Sequence, residues 1–256
     1  MGAIRLIFRL PLLLMHLLIG TPITVLMFYR PFRDRMVKGS PVQDIVLRWW
    51  GRTACRIFGV RIDQTGEFPA GPQLIVANHI SWLDTQVLHA LSQMGFVAKA
   101  EIASWPVAGY LARVGGTVFH RRGSHDSASG VATAMKERLS AGGKVAIFPE
   151  GGILVGTGIK RFHARLFGAA IDTQTDIQPV AIRYVKNGQR FDDMTFRDRE
   201  NFMVNVLRLL SQPPRVVEAM ILEPFSSRGL ARKEAAFRAE TAVRSAFESD
   251  IRNNHV

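Results

Sequence analysis

Leu74-Ile75-Val76-Ala77-Asn78-His79-Ile80-Ser81-Trp82-Leu83-Asp84 passes from a short apolar run into a polar loop and then into a helical pattern. Four apolar residues, two of them branched at Cβ and followed by turn formers, read as a buried strand. Outward from this stretch the same alternation recurs in both directions. Strands are predicted at 60–63, 74–77, 96–99, 117–120, 145–148, 177–183 and 216–222. Helices are predicted at 82–93, 106–114, 126–141, 164–172, 199–210 and 230–251, with another helical spacing over 42–60 that ends at Gly59. Strands alternating with helices of roughly ten to fifteen residues imply βαβ units. The fold class is therefore α/β, a mainly parallel twisted sheet covered by helices on both faces. The last helix puts Ala236, Ala239, Val243 and Phe247 on one face and Arg and Glu on the other, the pattern of a covering helix with no chemistry of its own.

The chain has 256 residues, of which 47% are hydrophobic and 21% charged, so it can bury a large core and is not disordered. Nothing in the middle reads as a linker, and no repeat or low-complexity tract is visible. Net charge is +12, from 33 Lys+Arg against 21 Asp+Glu, which favours a polyanionic partner, nucleic acid or an anionic membrane. The sparse interleaving of aromatic with basic residues disfavours nucleic acid. Cys55 is the single cysteine, so an intramolecular disulfide and a paired-cysteine zinc site are excluded. Its apolar, helix-compatible surroundings read as a packed thiol rather than a nucleophile. No metal or cofactor is implied, and oligomeric state is not legible.

Residues 10–28 carry no formal charge and would span about 28 Å as a helix at ~1.5 Å per residue, close to a bilayer core. Gly20 and Pro22 are expected to interrupt and bend it. Arg5 and Arg9 precede the run, and Arg30, Arg33, Arg35 and Lys38 follow it. Basic flanks on both sides suit a bent, re-entrant or interfacial anchor at an anionic surface at least as well as a simple crossing. A cleaved signal peptide is disfavoured, because the run ends in Tyr29-Arg30-Pro31-Phe32 with no small-residue cleavage site. The chain divides into residues 1–40, a membrane-anchoring segment, and 41–256, the α/β domain.

His79 stands at the carboxyl end of a predicted strand, where open α/β sheets bind ligands. Asp84 lies five residues on; on one helix the two would point about 140° apart, so pairing needs His79 in the loop and Asp84 in the first helical turn. Ser81 suits the N-cap of a helix starting at Trp82. The same spacing also reads as a capping box, with Asp84 reaching back to a backbone N–H. A second feature, Gly115 to Gly123, sets Arg121 and Arg122 between glycines after a strand, a pattern suited to phosphate or to a solvated turn. A third, Phe148-Pro149-Glu150-Gly151-Gly152, ends another apolar strand and is followed by Lys160, Arg161 and His163. Glu150 at a strand end needs a partner, and Arg122 is the expected one. The fourth is the strand around Pro179, which must sit where no ladder donor is required. No Walker loop, dinucleotide fingerprint or Gly-x-Ser-x-Gly elbow is present.

In this order and at these separations, the four pieces resemble the 1-acylglycerol-3-phosphate acyltransferase family. Asn78-His79-x4-Asp84 is similar to its His-x4-Asp motif, Gly116 to Arg122 to its second block, Phe148 to Gly151 to its third and Pro179 to its fourth. The resemblance implies a glycerolipid acyltransferase fold and transfer of a fatty acyl group from acyl-CoA or acyl carrier protein to a lysophospholipid, foremost 1-acylglycerol-3-phosphate. It implies His79 as general base oriented by Asp84. It places Arg122, Arg121, Glu150, Gly151, Gly152, Lys160 and Arg161 at the acceptor, with Asn78, Pro149 and Pro179 supporting the site. It further implies an enzyme on an anionic bacterial inner membrane with its site facing the cytoplasm. The family's third block usually continues Glu-Gly-Thr-Arg or Glu-Gly-Thr-Thr, whereas Gly152-Ile153 follow here, so a hydroxyl is missing from the acceptor loop. Residues 160–170 (KRFHARLFGAA) resemble lysophospholipid and lyso-ornithine-lipid acyltransferases, which leaves a different acceptor as the alternative. A non-catalytic protein binding anionic lipid is the alternative from another class.

Overall fold

The computed structural model describes residues 1–104, 109–110, 112–113, 115–120, 125–153 and 158–249. Helix α1 (Gly2–Met15) leads through a π-helical turn at His16–Gly20 into α2 (Thr21–Met27). The expected interruption thus takes the form of a wide turn inside one continuous helix. Pro22 has no N–H to donate and its ring crowds the preceding turn, a conflict that π widening relieves. After a short hairpin, Met36–Val37 against Ser40–Pro41, come α3 (Val42–Ile57), β1 (Val60–Thr65), β2 (Gln73–Ala77), α4 (Asp84–Leu91), β3 (Gly95–Lys99) and β4 (Val118–His120). Then follow α5 (His125–Ser140), β5 (Lys144–Ile147), α6 (Gly168–Thr173), β6 (Ile177–Lys186), β7 (Gln189–Arg190), α7 (Phe202–Ser211), β8 (Arg215–Ile221) and α8 (Arg232–Glu248). Each predicted strand is present to within a few residues at its ends. The predicted helix 106–114 falls largely outside the described residues.

The main sheet runs in the order β1-β8-β6-β2-β5-β3-β4, with β7 beside β6. Every neighbouring pair on that path is parallel except β8 against β6. Two parallel blocks therefore meet at one antiparallel seam, and the sheet is mainly parallel as expected. Alternation along β2 shows how its residues divide the core. Ile75 and Ala77 enter the cluster under α3, α4 and α7, while Leu74 and Val76 enter the cluster under α5, α6 and α8. All four are fully buried.

Pro179 sits inside β6, where a missing N–H would ordinarily orphan a partner carbonyl. Its own carbonyl accepts from Leu222 N at 3.1 Å, just beyond the last β6–β8 pair, Val180 with Ile221. The reciprocal bond to Leu222 O comes instead from the side-chain amide of Gln178. A neighbouring side chain thus replaces the donor that proline lacks.

The N-terminal helix is docked on the domain by one edge. Leu6, Leu10 and Leu13 pack against the first core cluster. Arg9 donates to the carbonyls of Leu210 at 3.0 Å and Gln212 at 2.7 Å, placing a cation on the C-terminal end of α7. The opposite edge is bare: Ile4, Ile7, Phe8 and Leu18 are more than half exposed. Helix α7 also shows Met203, Val204 and Leu207 to the outside.

Candidate active site

Strands β2 and β5 are adjacent and parallel, with Val76 opposite Ile147, so their carboxyl ends emerge side by side. That register brings residues 71 positions apart into contact: His79 N donates to Glu150 Oε1 at 2.7 Å. On the other side of β2, Asn78 continues the pairing with β6 by its side chain. Its Nδ2 donates to Ile182 O at 2.9 Å and its Oδ1 accepts from Ile182 N at 2.8 Å.

His79 lies in the loop after β2 and Asp84 is the first residue of α4. His79 Nδ1 and Asp84 Oδ2 are 3.0 Å apart, with the Asp84 side chain fully buried and that of His79 16% exposed. The same Oδ2 accepts from Ile80 N at 2.7 Å and Ser81 N at 2.9 Å. Pairing with histidine and reaching back to the backbone, which the spacing left as alternatives, are therefore both performed by one oxygen. The helix begins two residues later than the sequence suggests, and Ser81 is not its N-cap: Leu83 occupies that position, without a side-chain cap. Residues 80–83 instead wrap around the carboxylate, and Asp84 N closes the turn onto Ser81 O at 2.9 Å. Because an ionised carboxylate only accepts, Nδ1 is the donor in this pair, so the neutral ring has its lone pair on Nε2. The tautomer of the neutral imidazole is thereby set.

Glu150 is buried, and both of its oxygens take backbone donors: His79 N on one side and Lys160 N, at 2.9 Å, on the other. Burial raises its carboxyl above the usual range and these two N–H groups pull it back. Glu150 thus joins the histidine loop to the segment 158–163, which folds over it as His163 N donates to Pro149 O at 2.9 Å. Lys160 meets Glu150 through its backbone; the Lys160 and Arg161 side chains are exposed at the rim. Gly151 takes φ +77°, which a side chain would strain, and lies beside the His163 ring, with Gly152 next in the loop. Arg121 and Arg122 lie outside the described residues. Gly116, from the same motif, has φ +79° and leaves the space that the Arg138 guanidinium fills.

Two features of the site escape sequence reasoning. The His79 imidazole lies on the Phe148 ring, centroids 4.0 Å apart and planes 14° apart, and Phe148 in turn stacks with Phe96 at 5.9 Å. Tyr184 Oη donates to Asp84 Oδ1 at 2.8 Å from a strand 100 residues away. Burial and the adjacent Asp84 charge raise its phenol far above the ordinary range, so it stays a neutral donor. Nothing in the spacing signals either partner; only the register of β6 and β5 on β2 does. Cys55 is buried, and burial pushes its thiol up to about 12, which fits a packed thiol.

The fold is a mainly parallel α/β sheet that carries, at the carboxyl end of a central strand, a histidine tied to a helix-start aspartate. A family model described as Acyltransferase matches residues 59–183. The lyso-ornithine lipid O-acyltransferase of Pseudomonas aeruginosa is 38% identical over 208 residues, covering 81% of this chain and 80% of that protein. The 1-acyl-sn-glycerol-3-phosphate acyltransferase of Neisseria gonorrhoeae is 39% identical over 133 residues, 52% of each chain. The crystal structure of the 1-acyl-sn-glycerophosphate (LPA) acyltransferase PlsC from Thermotoga maritima superposes with a TM-score of 0.73, covering 96% of this chain and 95% of that one. At 17% identity that likeness speaks for the fold. The chain belongs to the acyltransferase family.

Proposed function

We propose that this chain transfers a fatty acyl group from an acyl thioester, acyl-CoA or acyl-acyl carrier protein, to the free hydroxyl of a lyso-ornithine lipid at an anionic membrane surface. The single observation that carries the chemistry is the 3.0 Å contact between His79 Nδ1 and buried Asp84. His79 Nε2 accepts the proton of the acceptor hydroxyl as its oxygen attacks the thioester carbonyl, and Asp84 balances the imidazolium that forms. Collapse of the tetrahedral intermediate expels the thiolate, which takes the same proton back, so the enzyme ends unchanged.

Two observations support the acceptor. The relative named for lyso-ornithine lipid is matched over four-fifths of each chain, whereas the one named for 1-acylglycerol-3-phosphate is matched over half. Gly152-Ile153 also stands where the latter family usually carries a threonine. Acylation of 1-acylglycerol-3-phosphate to phosphatidic acid is the second reading, favoured by the basic second block that ends in Arg121 and Arg122. Purified protein in anionic vesicles, given radiolabelled acyl-CoA and acyl-acyl carrier protein, separates the two. Lyso-ornithine lipid should be acylated with at least tenfold higher kcat/KM than 1-acylglycerol-3-phosphate; the reverse preference overturns the acceptor assignment and leaves the chemistry standing.

A further inference from the structure

We propose that Tyr184 is a positioning residue that governs the basicity of the His79–Asp84 pair. This rests on the reading of His79 as the general base. Asp84 is completely buried, and its two oxygens are served very differently. Oδ2 meets three donors from its own loop, the Ile80 and Ser81 amides and His79 Nδ1. Oδ1 has one partner among the described residues, the Tyr184 hydroxyl at 2.8 Å. Tyr184 is also the one donor to Asp84 that lies outside the histidine loop. It stands on β6, whose neighbouring residue Ile182 is clamped to Asn78 through two hydrogen bonds. The phenol therefore stands on the element that fixes the start of the loop, and it meets the aspartate from the side opposite the histidine.

A hydrogen bond to a carboxylate draws charge away from the oxygen facing the histidine, and a neutral phenol does so without neutralising it. With the phenol in place, Asp84 orients His79 and supports its charged form without holding the proton so firmly that it cannot be returned to the leaving thiolate. Without it, Oδ1 becomes a buried, unpartnered carboxylate oxygen, and the aspartate holds the proton on His79 more firmly. The other titratable groups around the pair come from separate elements: Glu150 after β5, Cys55 on α3, Arg215 on β8 and His163 beside Gly151. Among the described residues Oδ1 takes its hydrogen bond from the phenol and from none of these groups, so none substitutes for it there.

The test uses the full-length protein in anionic vesicles and two changes at position 184 that keep the ring. Tyr184→Phe should lower kcat at neutral pH about tenfold, leave KM for the acyl donor within twofold, and move the acid limb of the kcat/KM profile to higher pH. Replacement of Tyr184 by 3,5-difluorotyrosine, a stronger donor of the same shape, should move that limb to lower pH. Opposite displacements require an electronic link to the pair, which a packing role cannot give. If the profile stays in place in both variants while His79→Ala is inactive, the proposal fails and the base assignment survives. If His79→Ala retains activity, the base assignment itself fails. Should Tyr184→Phe melt before assay, the fluorinated protein alone still decides by the direction of its displacement.

Discussion

The loop after β2 and the N-terminal helix are opposite solutions to the placement of polar and apolar groups. In and beside the loop, Asn78, Ser81, Asp84 and, from the end of β5, Glu150 are all buried, and each has hydrogen-bond partners in the backbone or a distant side chain. Buried polar groups are costly when unpaired, so a network closed in this way holds one geometry firmly. The helix does the reverse. It is 26 residues long, and its most apolar 18-residue stretch has a mean hydropathy of 2.0, yet only 17% of that stretch is buried. Its inner edge is seated on the domain, and its outer edge holds a row of large apolar side chains that are exposed among the described residues. Such a surface calls for a non-aqueous neighbour. If the helix attaches the chain to a membrane, as proposed, precision and attachment belong to separate parts of the fold, and each should be breakable without the other.

The largest expected effect breaks the precise side. His79→Ala removes the side chain proposed as base, and general-base catalysis is worth roughly 10²–10⁴ in rate. Acyl transfer should fall by at least 10² while vesicle binding and the melting temperature stay close to wild type. Activity within tenfold of wild type would remove His79 from the reaction.

Next in size is the converse experiment. Ile7 and Phe8 are 67% and 69% exposed on the outer edge of α1. Burying one such side chain contributes about 1.5–3 kcal/mol, so Ile7→Glu with Phe8→Glu should reduce partition into anionic vesicles on the order of 10²-fold. In a detergent-micelle assay with soluble acceptor, kcat should remain within a few-fold of wild type. Unchanged sedimentation with vesicles would show that this edge does not carry the attachment.

Much of this division was legible before any coordinates. The seven strands, the covering helices, the His79–Asp84 pair and the apolar start all follow from local pattern, because a period of two, a period of 3.6 and a motif each live within a few residues. What escaped depends on register. Tyr184 reaches Asp84 only because β6 lies beside β2, and Phe148 stacks on His79 only because β5 lies on its other side. Glu150 was expected beside Arg122, which lies outside the described residues; its two backbone donors, the amides of His79 and Lys160, have no sequence signature. The helix start was placed two residues early for a related reason. Ser81 has the chemistry of a cap, but Asp84 captures the amides that would otherwise begin the helix.

Helix α7 joins the two regions, and a smaller effect is expected there. Its outer face carries Met203, Val204 and Leu207, while its inner face carries buried Asn205. Asn205 Oδ1 accepts from the Trp82 indole at 2.9 Å, and its amide nitrogen donates to Glu200 at 2.8 Å and Thr195 O at 3.3 Å. Glu200 is in turn held by Arg208. Asn205→Ala leaves the indole N–H without its partner, at a cost of about 1–3 kcal/mol to stability. The change should also lower kcat by a few-fold through loosening of residues 80–83, with partition into vesicles unaltered. Equal losses in kcat and in vesicle binding would mean that the two regions are not separable at this helix.

The smallest effect concerns pH and belongs to the buried side alone. His89 stands on α4 with Nε2 3.3 Å from Met94 O and its ring edge-on to Phe96, the same ring that backs Phe148 and, through it, His79. Burial pulls its imidazole down to about 4, against about 6.5 in an unfolded chain. Between those two values the unfolded chain binds the additional proton, so stability rises with pH across the window and is fully present above it. On acidification the loss therefore begins near pH ~6.5 and continues to about 4. His89→Gln keeps a donor for Met94 O without a titrating ring, and its melting temperature should fall less steeply through that window than the wild-type value. Identical slopes for the two proteins would place the acid sensitivity elsewhere in the chain. The described partners of His89 are Met94 and Phe96, so vesicle partition should be the same in both proteins at every pH in the series.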